Sequence, residues 1–337
     1  MTPSTVPSAP LGLEEARSLR AAGQWRVLAE RGAQLSADAL GAEPELAYAV
    51  AAAYRHTGRG ERALALARTA EAAARARGDG RLAAEAVNLA GNCLFEAGRP
   101  EEAAACFEGM LEYASAAGDE EFNARAANNL GVLANVAGVR DRALAWYGRA
   151  LAAYQRLGSQ RGLAETHHNL GISYRHLGFV READAHYRRA IELAEGAGAE
   201  HVAALAETGR ALLAVRAGDG ALGQALAERA GERFAAAGDP VGQAEALRVH
   251  AAAARVQGRD DEAETSLAQV LAAAREHGNA LLLADTQRDR GLLLRDLGRG
   301  DEARAALLES AEQYEMIGAA AEAGAVRMLA EGADTEV

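Results

Sequence analysis

Apolar and small residues recur along the chain with the spacing of one helix face. Within residues 80–97, Val87, Gly91, Leu94 and Phe95 form a stripe near the 3.6-residue period. The same segment lacks the strict two-residue alternation of a half-buried strand. This pattern returns along most of the chain, so the sequence predicts an all-α protein.

Glycine divides the pattern into segments of helix length. One evenly spaced series consists of Gly58, Gly98, Gly138, Gly178, Gly218, Gly258 and Gly298. A second series has the same spacing, is offset by half a repeat and runs from Gly78 to Gly318. Strict self-similarity at such a period is typical of stacked repeats, in which each unit packs mainly against its neighbours. Each repeat unit is therefore predicted to be two helices joined by tight turns.

The unbroken repeat favours one extended array over several globular domains. The first ten residues are rich in proline and serine, which is typical of a flexible tail. The predicted organisation is a disordered tail at 1–10, an N-terminal helical cap at 11–43, seven repeats at 44–318, and a closing helix with a frayed end at 319–337.

Small residues mark where the two helices of a unit should touch. An alanine follows most glycines of the first series at a fixed distance, at Ala63, Ala103, Ala143, Ala183, Ala263 and Ala303. The unit at 200–238 departs from this pattern, with Ala211, Gly223 and Ala227 at its packing positions, and is predicted to be the loosest repeat.

These repeats resemble the tetratricopeptide repeat (TPR) family, in the long-repeat variant of Rap-type regulators and spindle-orientation adaptors. The resemblance implies a right-handed superhelical solenoid of antiparallel helix pairs. It is carried by Asn129-Leu130-Gly131 and Asn169-Leu170-Gly171 in first helices, and by Ala143-x-x-x-Tyr147-x-x-Ala150 and Ala183-x-x-x-Tyr187-x-x-Ala190 in second helices.

The resemblance also implies a concave groove lined by the first helices. In the family, positions three before, one after and four after the small packing residue face the groove. The side chains transferred in this way change from amides to arginines along the chain. They are Asn88, Asn92, Asn128, Asn135, His168, Arg175, Arg248, Arg255, Arg288 and Arg295.

The two ends of this predicted groove suggest different contacts. Asparagine suits the main chain of a bound peptide, so the asparagines and His168 are predicted to face the partner and not to be hidden in packing. The four arginines from Arg248 to Arg295 suit carboxylates or phosphates. The alternative is that Glu245 and Asp285, each three positions earlier, neutralise Arg248 and Arg288.

Composition excludes several other functions. The chain has 36 arginines, no lysine and a net charge of -12, which argues against nucleic-acid binding and removes lysine-dependent catalysis. The literal G-x-G-x-x-G at 218–223 coincides with a repeat turn and follows no strand pattern. Histidines at 167, 168, 176 and 186 lack metal-site spacing. We therefore predict no enzyme activity, no cofactor and no metal.

Localisation follows from what the chain does not contain. No run approaches the roughly 20 apolar residues of a membrane span, and neither a signal peptide nor a disulfide framework is apparent with two cysteines. We predict a cytoplasmic protein with no membrane partner.

Two functions remain open at this point. The first is a non-catalytic scaffold or adaptor that binds a protein or peptide in the groove, with the arginines favouring an acidic or phosphorylated segment. The second is a ligand- or peptide-sensing regulatory protein that acts through a partner. The sequence names neither the partner nor the oligomeric state.

Overall fold

The computed structural model describes residues 10–332, and within this range the chain forms 18 helices and no strand. The predicted all-α class is thereby confirmed. Contacts divide the chain into two compact units, residues 1–157 and 158–337, which we describe separately. Most of the tail predicted at 1–10 and the frayed end after residue 332 lie outside the described residues.

The first unit begins with three short helices, followed by three helix pairs. Its helices are α1 (Leu13–Ala21), α2 (Trp25–Gly32), α3 (Ala37–Ala42), α4 (Pro44–His56), α5 (Gly60–Ala76), α6 (Gly80–Glu96), α7 (Pro100–Ala117), α8 (Glu120–Val136) and α9 (Arg140–Leu157).

The second unit contains four helix pairs and a closing helix. Its helices are α10 (Gln160–His176), α11 (Val180–Gly196), α12 (Glu200–Arg216), α13 (Gly220–Ala236), α14 (Pro240–Val256), α15 (Asp260–Glu276), α16 (Ala280–Asp296), α17 (Gly300–Met316) and α18 (Ala320–Gly332).

Both predicted glycine series end helices. Gly98, for example, has a φ of +69°, a left-handed conformation that costs glycine little. Its amide donates to the carbonyl of Phe95, and the amide of Arg99 donates to that of Leu94 at 2.9 Å. This is the Schellman arrangement, which satisfies the last carbonyls of a helix and reverses the chain.

Side-chain caps start most of the first helices. In α6, the carboxylate of Asp79 accepts a hydrogen bond from the amide of Leu82 at 3.0 Å. Residues that cap in the same way recur directly after glycines of the second series. They are Asp79, Asp119, Ser159, Asp239 and Asn279.

The two helices of a pair pack through small residues, as predicted. Ala103 and its predicted equivalents are fully buried. A Cβ placed on Gly91 would lie 2.6 Å from the Phe107 ring, so the glycine makes room for a large residue of the second helix. Gly291 makes room for Leu307 in the same way.

In the pair α12/α13, the small and the large packing residues change places between the two helices. Ala211 and Ala227 replace the usual glycine and large residue, and both are buried. Gly223 stands at the alanine position, where a Cβ would lie 2.7 Å from a methyl of Val215. A large residue of the first helix therefore packs against a glycine of the second, and the pair has a buried core.

The first helices of successive pairs contact one another directly. In the second unit, α10 contacts α12, α12 contacts α14, and α14 contacts α16. These helices therefore form a continuous face. The G-x-G-x-x-G motif is the turn from α12 to α13, where Gly218 has a φ of +81° and Gly220 begins the next helix. None of the described helices is long and apolar enough to cross a membrane.

Candidate functional site

The predicted amide residues of the first unit are partly used in packing. Asn88 on α6 and Asn128 on α8 are each only 8% exposed. The side-chain amide of Asn129 donates to Oδ1 of Asn88 at 2.8 Å, which joins two successive first helices. The prediction that Asn88 and Asn128 are not hidden in packing is therefore wrong, because both side chains are buried and the next first helix contacts Asn88 through Asn129.

Two further predicted residues of this unit are more accessible. Asn92 and Asn135 are half-buried, and Asn92 has no side-chain hydrogen bond among the described residues. Near the same helix ends, Arg55 on α4 forms an ion pair with Glu96 on α6 at 2.5 Å. Charged side chains at this position can thus also link successive first helices.

The second unit has a cavity of about 470 Å³ on the face formed by its first helices. All four first helices contribute to it, together with one aromatic residue from each of α11 and α13. The lining residues are His168, Ile172, Arg175, Tyr187, His201, Leu205, Thr208, Gly209, Leu212, Phe234, Asp239, Val241, Gly242, Glu245, Asn279, Leu281, Leu282 and Asp285.

Tyr187 reaches this cavity from a second helix. A Cβ on Gly171 of α10 would lie 2.6 Å from its ring, and a Cβ on Gly209 of α12 would lie 2.5 Å from it. The ring therefore occupies a slot between two glycines. Its hydroxyl is buried and forms no hydrogen bond of good geometry with the described residues, although the Arg175 guanidinium lies close enough to interact with it. Burial raises the pKa of this phenol, and the neighbouring Arg175 guanidinium opposes that shift.

His168 is the second polar group with an unsatisfied atom in the cavity. Its ring lies 5.8 Å from that of Tyr187, and its Nδ1 is buried and accepts or donates no hydrogen bond within residues 10–332. Burial, with smaller effects from Arg175 and His201, lowers the pKa of His168 to about 4. The imidazole is therefore neutral at physiological pH.

Arg175 is the third. Its Nε is buried and has no hydrogen bond, and its Nη2 lies 3.4 Å from Nε2 of His176. The guanidinium forms no ion pair with any described carboxylate. His201 differs, because its Nδ1 lies 3.4 Å from Oδ2 of Asp239.

The predicted cluster of arginines lies farther along the same face and is occupied by carboxylates. Arg248 on α14, only 8% exposed, pairs with Glu245 at 2.6 Å and with Asp289 on α16. Burial opposes the charge, yet these carboxylates raise the pKa of Arg248 well above its ordinary value. Arg288 pairs with Asp285 at 3.1 Å and with Asp289 at 3.2 Å. The neutralisation alternative thus describes the contacts of both arginines.

The other two predicted arginines differ from each other. Arg255 on α14 forms an ion pair with Asp296 on α16 at 2.6 Å. Arg295 is exposed and makes no side-chain contact with a described carboxylate. The four arginines are therefore not an open basic surface.

Metal coordination gains no support from the clustered histidines. Nδ1 of His167 lies 2.9 Å from Nδ1 of His186, whose ring stacks on Tyr174. Burial lowers the pKa of His167 to about 4, with a smaller effect from His186. Among residues 10–332, no group of three or more histidine, cysteine, aspartate or glutamate side chains could hold a metal ion.

Sequence comparison bears on the first-helix and second-helix motifs. Residues 122–196 match the tetratricopeptide repeat family. This segment carries tetratricopeptide repeats. No curated protein has a sequence significantly similar to that of this chain.

Solved structures share the fold of this chain. A Rap protein complexed with competence and sporulation factor is 13% identical, with a TM-score of 0.63, and the match covers 95% of this chain and 96% of that one. Aspartyl phosphate phosphatase F from Bacillus subtilis is 14% identical, with a TM-score of 0.56, over 100% and 97% of the two chains. These likenesses establish the fold and leave the function to the site.

A third structure is a signal-transduction ATPase with numerous domains and a TPR sensor, from Pyrococcus horikoshii. It is 13% identical with a TM-score of 0.61, and the match covers 93% of this chain but 48% of that one. The fold therefore occurs both in proteins of similar length and within a larger protein.

Proposed function

We propose that the protein is a non-catalytic TPR scaffold or adaptor that binds a protein or peptide segment in the cavity of the second unit. The observation that supports this most strongly is the cavity itself. Apolar side chains such as Leu205 and Leu212 line it together with His168, Arg175 and Asp285. A mixed surface of this kind suits a chain whose side chains alternate between apolar and polar contacts.

The first helices make this surface ready for binding. Each helix is fixed by a glycine turn and a buried face, and three of the four also have a side-chain cap, so a partner adds contacts with little ordering of the scaffold. Proteins of the same fold include a Rap protein complexed with competence and sporulation factor and a signal-transduction ATPase with a TPR sensor. A role in recognition is consistent with both.

Two leucines allow a matched test of the binding surface. Leu281 on α16 lines the cavity and is 54% exposed, whereas Leu222 on α13 is 44% exposed and lies outside it. Peptides selected from a displayed random library on the full-length protein should bind Leu281→Glu at least tenfold more weakly, while Leu222→Glu retains them. Equal binding to both variants would contradict the proposed location.

The alternative is a sensor of a small effector that acts through a partner. A volume of about 470 Å³ lies within the range of small-molecule sites. A screen of metabolite mixtures by ligand-observed NMR separates the two functions. A small molecule that binds the parent protein but not Leu281→Glu would favour the sensor. Binding of selected peptides without any such small molecule would favour the adaptor.

A further inference from the structure

Polar side chains link the first helices of successive repeats, and we name these contacts cross-repeat pairs. One kind joins the position three before the small packing residue to the position two before it in the next repeat. Asn88–Asn129 and Arg248–Asp289 are pairs of this kind. The other kind, represented by Arg55–Glu96 and Arg255–Asp296, lies near the ends of the helices.

Both kinds are absent between α10 and α12. The position that supplies Asn129 or Asp289 elsewhere is Gly209, so His168 has no side chain to meet there. The position that supplies Glu96 or Asp296 is Arg216, which has the same charge as Arg175.

This double absence explains the unsatisfied atoms. Of the described residues, six have a buried side-chain nitrogen or oxygen without a hydrogen bond, and three of these, His168, Arg175 and Tyr187, line one cavity. Gly209 accounts for two features of the cavity. It has no side chain to pair with His168, and it leaves space for the ring of Tyr187. Buried polar groups without partners are costly, so a ligand that satisfies them gains free energy.

We propose that His168, Arg175 and Tyr187 form a subsite for an oxyanion, a carboxylate or a phosphate, on the ligand of this cavity. The proposal rests on the proposed function and names the chemistry of one part of its ligand. A guanidinium without a carboxylate donates to two oxygens of such a group, and the phenol and an imidazole N–H donate to the same group.

The carboxylates that line the cavity do not pair with the three residues of the subsite. Asp239 faces His201 and caps α14, and Glu245 and Asp285 contact Arg248 and Arg288. They belong to α14, α16 and the turn before α14, whereas the unsatisfied groups belong to α10 and α11. Arg216 adds a further positive charge, which acts on Tyr187. The subsite is therefore a local positive region in a chain of net charge -12.

Small anions test the subsite directly. Sodium acetate and inorganic phosphate would be titrated into the full-length protein at constant ionic strength, with side-chain NMR of His168 and the Nε–H of Arg175. We expect saturable shifts and a rise in the pKa of His168 on binding, because a nearby anion favours the imidazolium. Saturation by acetate would identify a carboxylate source, and saturation by phosphate alone a phosphorylated one.

Variants separate the subsite from general charge effects. Arg175→Gln should bind the saturating anion roughly tenfold more weakly, and Tyr187→Phe a few-fold more weakly. Arg175→Lys, which keeps the charge but not the fork, should fall between Arg175→Gln and the parent. Arg275→Gln, an exposed change of equal charge on α15, should bind within about twofold of the parent.

Restoring the missing cross-repeat pair is the sharpest variant. Arg216→Glu places a carboxylate at the α12 position equivalent to Asp296, which pairs with Arg255. The new carboxylate should therefore pair with Arg175 and abolish anion binding. Arg275→Glu carries the same charge change and should retain it. Unsaturable shifts in the parent, or parent-like affinity in Arg216→Glu, would overturn the subsite. If selected peptides still distinguish Leu281→Glu from Leu222→Glu, the proposed function survives that result.

Discussion

In the second unit, the contact between α14 and α16 differs from the contact between α10 and α12 in the side chains that stand at equivalent repeat positions. Between α14 and α16, Arg248 meets Asp289 and Arg255 meets Asp296. Between α10 and α12, the equivalent His168 and Arg175 face Gly209 and Arg216. The four helices α10, α12, α14 and α16 have the same length, 17 residues each. Whether a polar side chain stabilises the stack or remains available for a ligand therefore depends on its cross-repeat partner position in the next first helix.

The step between α6 and α8 in the first unit extends this comparison. There the pair is Asn88–Asn129, which is uncharged and mostly buried. An amide pair can be formed without desolvating a charge, so it links two helices at low cost. The step from α10 to α12 stands apart from the other two because neither kind of cross-repeat pair forms there.

The largest expected effect concerns the contact between α14 and α16, where both kinds of cross-repeat pair form. Asp289→Ala should lower the free energy of unfolding by about 3 kcal/mol, because it removes one partner of a buried arginine while Glu245 remains. Asp296→Ala, which breaks the more exposed pair with Arg255, should cost less than about 1 kcal/mol. Hydrogen exchange of α14 and α16 in both variants measures the difference, and equal costs would contradict the role assigned to burial.

The second effect concerns the pH dependence of stability at the contact between α10 and α12, where neither kind of cross-repeat pair forms. The pKa of His168 is about 4 in the folded protein and about 6.5 in an unfolded chain. Above pH 6.5 both states are neutral. As pH falls toward 4, the unfolded state takes up a proton that the folded state refuses, so stability declines, by about 2 kcal/mol when the partial exposure of the ring is allowed for.

Comparison with His168→Gln isolates this contribution from those of His167 and His186. Hydrogen exchange of α10, corrected for the intrinsic rate at each pH, should show a shallower decline in the variant. Identical pH dependence in the two proteins would mean that His168 ionises normally in the folded state.

The smallest effect concerns the amide pair. Asn88→Ala leaves the side-chain amide of Asn129 without its partner and should cost about 1 kcal/mol. Asn92→Ala, on the same helix, removes a half-buried side chain that has no hydrogen bond and should stay within about 0.5 kcal/mol. Exchange rates in α6 and α8 provide the measurement. An equal effect of the two substitutions would show that the Asn88–Asn129 bond contributes nothing.

The helices could be predicted almost entirely from the sequence. Left-handed turns require glycine at low cost, so the two glycine series marked nearly every helix end from Gly58 onward. The alanines and the packing glycines also had the predicted roles, because helix contacts restrict residue size at fixed positions. The repeat at 200–238 did not follow the pattern, yet Gly223 and Val215 complement each other in size.

The site could be predicted only in part. Transferring the family's positions selected His168 and Arg175, which line the cavity, but the exposure expected of Asn88 and Asn128 was wrong. Periodicity within one helix does not show which side chain of the next repeat covers a residue. That information was present at the cross-repeat partner positions of the following first helix.

Tyr187 was missed for a related reason. It belongs to a second helix, and the resemblance assigned the groove to first helices. It enters the cavity because Gly171 and Gly209 flank its ring, and this requires a glycine at the α12 position whose equivalents are Asn129 in α8 and Asp289 in α16. The pairing of a tyrosine in one second helix with a glycine in the first helix that follows it was the only signal in the sequence.

The most direct test uses one selected peptide and the full-length protein. Side-chain NMR would follow the guanidinium signals of Arg175, Arg248 and Arg288 and the ring of His168 as the peptide is added. The account predicts that Arg175 and His168 shift with saturation, whereas Arg248 and Arg288, already held by carboxylates, keep their signals. A peptide that shifts Arg248 and Arg288 and leaves Arg175 unchanged would contradict it.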